Sequence, residues 1–207
     1  RWPTTVQFRA SVNQQRAWGS GNVDVAIATT VTVLSGLAAM TPGVSRFEQF
    51  VFRTVNGLPP ALELPLATVM QLGSLGAVFA SAGLARLADR RELAVEFLLS
   101  GGTSYVAAKA AKIMVARERP GLLLTDVLLR GRAQSGRGFP SGHAAVAAAL
   151  ATIAARRFPP AAGRAAWASV GMVSVARIYV GAHLPVDVVG GTALGFAIAT
   201  GVAARRA

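Results

Sequence analysis

The sequence has no cysteine. That excludes a disulfide framework and any thiolate metal site. Its two histidines, His143 and His183, are too few for a histidine metal cage. Only nine of its 207 residues are acidic, and they form no carboxylate cluster of the kind that holds Mg²⁺. No metal and no other cofactor is expected. Charged residues make up 14% of the chain, against about 25% in a soluble domain. Aromatics are 7%, and no run of them interleaves with basic residues. Nucleic acid is therefore not an expected partner, despite a net charge of +12.

What is present is apolar. The chain is 53% hydrophobic, with uncharged runs punctuated by arginine, which is the pattern of membrane topology. We expect one all-α domain over residues 1–207, without internal repeats, built on six transmembrane helices. The spans are placed at 25–40, 64–85, 92–115, 138–155, 165–180 and 184–204. Residues 44–56 carry Phe47, Phe50, Val51 and Val55 among charges, which predicts an amphipathic helix in the membrane interface. Residues 1–22 read as a polar juxtamembrane leader, with Trp2 and Trp18 suited to the interface. The first apolar run starts late and is too long for a signal sequence. Lys109 reads as a snorkelling cation near a span end, and Tyr179 as interfacial packing. Glu96 suits a pairing with arginine near the inner surface.

Alternation of the spans puts Arg1, Arg9, Arg16, Arg86, Arg90, Arg91, Arg156, Arg157, Arg164, Arg205 and Arg206 on one side. The positive-inside rule makes that side cytoplasmic. Both termini are then cytoplasmic in a multi-pass protein, and the Ala, Gly and Arg content points to a bacterial membrane. The opposite side is arginine-rich in one place, the 116–138 loop, with Arg117, Arg119, Arg130, Arg132 and Arg137. Anion binding accounts for that exception.

Three polar clusters fall at this outer end. Lys112 and Arg119 are seven apart, about 10 Å of rise on one helical face, and two such cations suit a phosphate. In Pro140-Ser141-Gly142-His143, Ser141 suits a helix N-cap. Gly142 lets a ligand approach the backbone, and a helix N-terminus binds anions. In the stretch 177–187, Arg177 offers a fork of donors to a phosphate or carboxylate. His183 and Asp187, four apart, would share a helix face, where the carboxylate would fix the imidazole tautomer and raise its basicity.

Together these clusters resemble the type 2 phosphatidic acid phosphatase superfamily. That family is marked by Lys-x6-Arg-Pro, Pro-Ser-Gly-His and Ser-Arg-x5-His-x3-Asp. The first two motifs stand in full at 112–120 and 140–143. The third has Arg177, His183 and Asp187, with Ala176 in place of the serine. The resemblance implies an integral-membrane lipid phosphatase with its site at the outer interface. His183 would be the nucleophile that forms a phosphohistidine, Asp187 its orienting carboxylate, and His143 the general acid and base. Lys112, Arg119, Ser141, Gly142 and Arg177 would hold the phosphoryl oxygens. The bilayer and a membrane lipid substrate are the expected partners. Polyprenyl diphosphate, a polyprenyl sugar phosphate, phosphatidylglycerol phosphate and phosphatidic acid all remain open as that substrate. A non-catalytic lipid-phosphate binder or transporter, or a vanadate-dependent haloperoxidase, would use the same pocket.

Overall fold

The computed structural model describes residues 5–131 and 135–206, with side chains from residue 22 onward. Expectations for Arg1, Trp2 and Arg132, and for the side chains of Arg9, Arg16 and Trp18, lie outside the described residues.

The described residues are helical, without strands. They form α1 (Thr5–Met40), α2 (Arg46–Asn56), α3 (Glu63–Met70), α4 (Leu75–Leu87), α5 (Arg91–Val115), α6 (Pro120–Leu123), α7 (Gly142–Arg157), α8 (Pro160–Tyr179) and α9 (Pro185–Ala204). The all-α expectation holds. Two helices are long and apolar enough to cross a membrane, Asn22–Met40 and Pro185–Ala204; a third such span arises if α3 and α4 count as one bent unit.

The centre of the bundle is α7. Its interior is mostly alanine, the best helix former, and Ala144, Ala145, Ala147, Ala148, Ala149 and Ala151 are all buried. A helix apolar on every side belongs inside a bundle, and α7 packs against α5, α8 and α9. Small residues let these backbones approach closely. At Gly195 of α9, an added Cβ would stand 1.9 Å from the carbonyl oxygen of Ala145, so any side chain there would force the two helices apart. Prolines open α8 and α9 at their first positions, where the missing N–H costs nothing.

The expected continuous span at 64–85 is instead broken. Helices α3 and α4 meet at 63° across Gly73 and Ser74. Ser74 caps α4 by accepting from the Ala77 N–H at 3.2 Å. The break is where α7 begins: a Cβ on Gly73 would lie 2.3 Å from the His143 carbonyl oxygen. An uninterrupted helix of ordinary residues has no room for that contact.

Helix α2 also departs from expectation. It is amphipathic, but Glu48, Phe52 and Asn56 form its inner face, while Phe47 and Phe50 point outward. The spacing of four puts two polar side chains into the protein, where each has partners: Asn56 donates to the carbonyls of Leu128 and Tyr179 at 2.9 and 2.8 Å. Outward-facing Val33, Leu34, Leu37, Leu87 and Ile113 add to an apolar exterior of the kind that needs a non-aqueous surrounding.

Candidate active site

The ends of α5, α7, α8 and α9 converge on one cavity of about 320 Å³. Its lining includes Lys109, Lys112, Arg119, Gly142, His143, Arg177 and His183. Six of the eight residues singled out from sequence thus share one wall-to-wall space. The other two, Ser141 and Asp187, are fully buried just behind it.

The local geometry differs from the helical-face argument in two places. Helix α5 ends at Val115, and Ala116 adopts a left-handed conformation. Arg119 therefore leaves the helix and caps α6 instead of sitting two turns above Lys112. Likewise His183 lies in the connection before α9, so it does not share a helix face with Asp187. The chain turn brings them together regardless, with His183 Nδ1 3.5 Å from Asp187 Oδ2. That is too long for a full hydrogen bond, and Nδ1 has no other partner.

Asp187 is the third residue of α9, and its Oδ2 accepts from the Leu184 N–H at 2.9 Å. Its Oδ1 accepts from Arg117 at 3.0 Å. Burial dominates the His183 imidazole. Asp187 favours its charged form, Arg177 and Lys112 oppose it, and the outcome is a pKa pushed down to about 3. The ring is held neutral, with a lone pair available for attack.

At the N-terminus of α7, Ser141 is the cap and accepts from the Ala144 N–H at 3.5 Å. A Cβ on Gly142 would meet nothing within 4 Å. Packing does not require glycine there; its bareness leaves open space in front of the helix end.

The cations are differently engaged. Lys112 donates to the carbonyls of Arg137 and Gly138, both at 2.8 Å. Arg119 donates to the carbonyls of Ser135, Gly136 and Ala182, so the two together pin the 135–138 segment over the site. Arg177 is 2% exposed. One of its nitrogens contacts the Met70 sulfur at 2.9 Å, and its Nε has no partner. A buried, unpartnered guanidinium donor is costly, and the Arg177 side chain also contributes to the cavity wall.

Several neighbouring readings change. Arg130 is not a free loop charge. It donates to the carbonyls of Asn56, Leu58 and Tyr179 and stacks 4.0 Å over the Tyr179 ring. Tyr179 is fully buried rather than interfacial. Lys109 lines the cavity and sits 5.2 Å over the Tyr105 ring. Arg137 faces Glu118 at 4.0 Å on the surface. Glu96 pairs with Arg157 at the opposite end of the bundle.

Two residues of the site region do not stand out in the sequence. Arg117 is one of several arginines of the 116–138 loop, and Glu48 one of the charges on the amphipathic 44–56 segment. The signal for Glu48 was its spacing of four from Phe52 and of eight from Asn56, one helical face.

The sequence profile of the PAP2 superfamily matches residues 93–206. Two solved structures share the fold. Aquifex aeolicus LpxE superposes with a TM-score of 0.73 at 24% identity, over 79% of this chain and 99% of that one. The first transmembrane PAP2 type phosphatidylglycerolphosphate phosphatase from Bacillus subtilis gives 0.75 at 22% identity, over 88% and 96%. No curated protein sequence matches significantly.

Proposed function

The chain belongs to the PAP2 superfamily, and on that premise we propose that it is a metal-independent membrane lipid phosphatase. The observation that carries this reading is one cavity walled by Lys112, Arg119, Arg177, His143 and His183 together. Fixed positive charge is what phosphoryl transfer requires, because negative charge spreads over three equatorial oxygens in the transition state.

In the proposed reaction, the neutral His183 attacks phosphorus through the nitrogen turned away from Asp187. A phosphorus–nitrogen bond forms as the phosphorus–oxygen bond to the lipid breaks. His143 gives its proton to the departing oxygen. Asp187, behind Nδ1, stabilises the positive charge that develops on the ring. His143 then takes a proton from water, the water oxygen attacks phosphorus, and phosphate leaves with His183 restored. Lys112, Arg119, Arg177 and the α7 N-terminus at Ser141 and Gly142 hold the oxygens throughout. Among the described residues no three His, Cys, Asp or Glu side chains gather to hold a metal, and the scheme needs none.

The six-span topology belongs to the same proposal. The spans are the membrane part of α1, the bent α3–α4 pair, α5, α7, α8 and α9. The cavity lies at the C-terminal ends of α5 and α8 and the N-terminal ends of α7 and α9. The arginine-rich α4–α5 and α7–α8 turns and the C-terminus lie at the other ends. This arrangement supports cytoplasmic termini and an outward site in a bacterial cytoplasmic membrane, within one domain. An outward site suits recycling of a polyprenyl carrier lipid, with phosphatidylglycerol phosphate, phosphatidic acid and polyprenyl sugar phosphate as the other candidates.

The test is phosphate release by purified protein in EDTA from these four lipids, each beside His183→Ala. Release from one of them, lost in the variant, supports the reading and names the substrate. Turnover that EDTA abolishes contradicts the metal-independent chemistry. No release from any of the four, with folded protein, overturns the phosphatase assignment in favour of a lipid-phosphate binder.

A further inference from the structure

Behind His183 runs a buried chain of charges that the reaction scheme does not use. Arg117 lies in the connection after α5 and is 6% exposed; Glu48, on α2, is 5% exposed. The guanidinium is bound by both Glu48 oxygens, at 3.1 and 2.8 Å, and by Asp187 Oδ1 at 3.0 Å. Glu48 Oε1 also accepts from the Val186 N–H at 3.0 Å, in the first turn of α9. Three segments far apart in the chain are thus tied at the carboxylate that faces His183.

Burying three charges is expensive, and a buried pair is often no more stable than an apolar replacement. A cluster of this kind calls for a reason beyond stability. We propose that Glu48 and Arg117 are positioning residues for Asp187, setting the orientation and the charge it presents to His183. This rests on the reading of His183 as nucleophile.

Orientation is fixed from two sides: Arg117 occupies Oδ1 and the Leu184 N–H occupies Oδ2 from the side. The carboxylate cannot rotate, and Oδ2 stays aimed at Nδ1. Charge is set as well: Asp187 beside Arg117 alone would be a neutral pair, with little field at the imidazole. Glu48 adds one negative charge, and the three groups together carry a net charge of about −1. That charge lies ready to stabilise the ring as it becomes positive during attack.

The experiment compares wild type, Glu48→Gln and the double variant Glu48→Gln/Arg117→Gln for phosphate release, with kcat and KM separated and folded protein quantified by thermal unfolding in detergent. The glutamine of Glu48→Gln keeps the shape and an acceptor for Val186. Its kcat is expected to fall on the order of 10–100-fold, the range for outer-shell partners of an oriented histidine, with KM within about twofold, the signature of a group felt only in the transition state. The double variant restores the net charge, and the glutamine amide in place of Arg117 can still donate to Oδ1, so it should recover part of the kcat lost in Glu48→Gln. A purely structural pair predicts instead that the double variant is worse than the single. That result, an unchanged kcat in Glu48→Gln, or a kcat loss matching the loss of folded protein overturns the proposal. Should Glu48→Gln not fold, Arg117→Lys, which keeps the charge but loses the fork, tests the orientation alone: its kcat must fall at constant KM, and an unchanged kcat overturns the proposal. A wild type that releases no phosphate refutes the phosphatase reading; an active wild type with indifferent variants refutes the positioning role alone.

Discussion

At the arginine-rich turn between α4 and α5, Arg86 and Arg91 approach Asp89 at 3.9 and 3.8 Å with side chains more than half exposed. At the other end of the bundle, Arg117 meets Glu48 and Asp187 at 2.8 and 3.0 Å with all three almost completely buried. The same residue types serve different ends. Exposed pairs gain little, because water and salt screen them and side-chain entropy opposes them. Charge there fits a topological role that depends on the number of arginines and not on their partners. Buried charges carry a desolvation cost that only close partners offset, so their geometry is specific and Glu48, Arg117 and Asp187 are tied to one another directly. Glu96 and Arg157 fall between the extremes: the acid is 1% exposed, while the arginine side chain is 38% exposed.

The largest contrast is expected at the site. His183→Ala should abolish turnover while the folded protein still binds lipid phosphate, measured by phosphate release beside equilibrium binding. Retained activity would place the nucleophile elsewhere. His143→Ala should slow hydrolysis by roughly 10²–10⁴-fold, the usual contribution of a general acid, and by less for substrates with good leaving groups. An equal loss across leaving groups would remove the acid role.

The intermediate pair should give an intermediate effect on stability. Arg157→Ala leaves Glu96 buried without its partner, at a cost of about 1–2 kcal/mol after allowance for the exposed side of the pair. A thermal unfolding midpoint equal to that of wild type would place Glu96 with the surface charges.

pH sharpens the same comparison. In the folded protein His183 resists protonation to about 3, whereas in the unfolded chain it takes a proton near 6.5. The unfolded state therefore binds more protons between these values. This contribution to stability is complete above about pH 6.5 and is lost as pH falls toward 3. Unfolding midpoints between pH 7.5 and 4.5 should fall less steeply in His183→Gln than in wild type. Parallel slopes would mean that burial does not hold this ring neutral. The smallest effect belongs to the exposed turn, where Asp89→Asn, which removes the charge but suits the left-handed backbone at this position, should leave the unfolding midpoint unresolved from wild type at 0.15 M salt, a concentration that screens surface pairs.

Much of this was legible in the sequence because apolar runs and motif spacings are local. The helices at 91–115, 142–157, 160–179 and 185–204 follow from predominantly apolar stretches bounded by Gly, Pro or Arg. The three polar motifs were visible as residue types, and they do meet in one cavity. Their local geometry was not visible: the left-handed Ala116 takes Arg119 off the helix, and His183 sits in a turn. The bend at Gly73 escaped because its cause, the His143 carbonyl, is seventy residues away. The inner face of α2 escaped for a similar reason. Glu48 is a surface charge by itself and a buried one only once Arg117 and the start of α9 are set against it. Periodicity and composition determined which segments are helical and which chemistry they bring. Only the tertiary structure decided which charges are desolvated and paired, because that depends on neighbours that the chain supplies from 69 and 138 residues away.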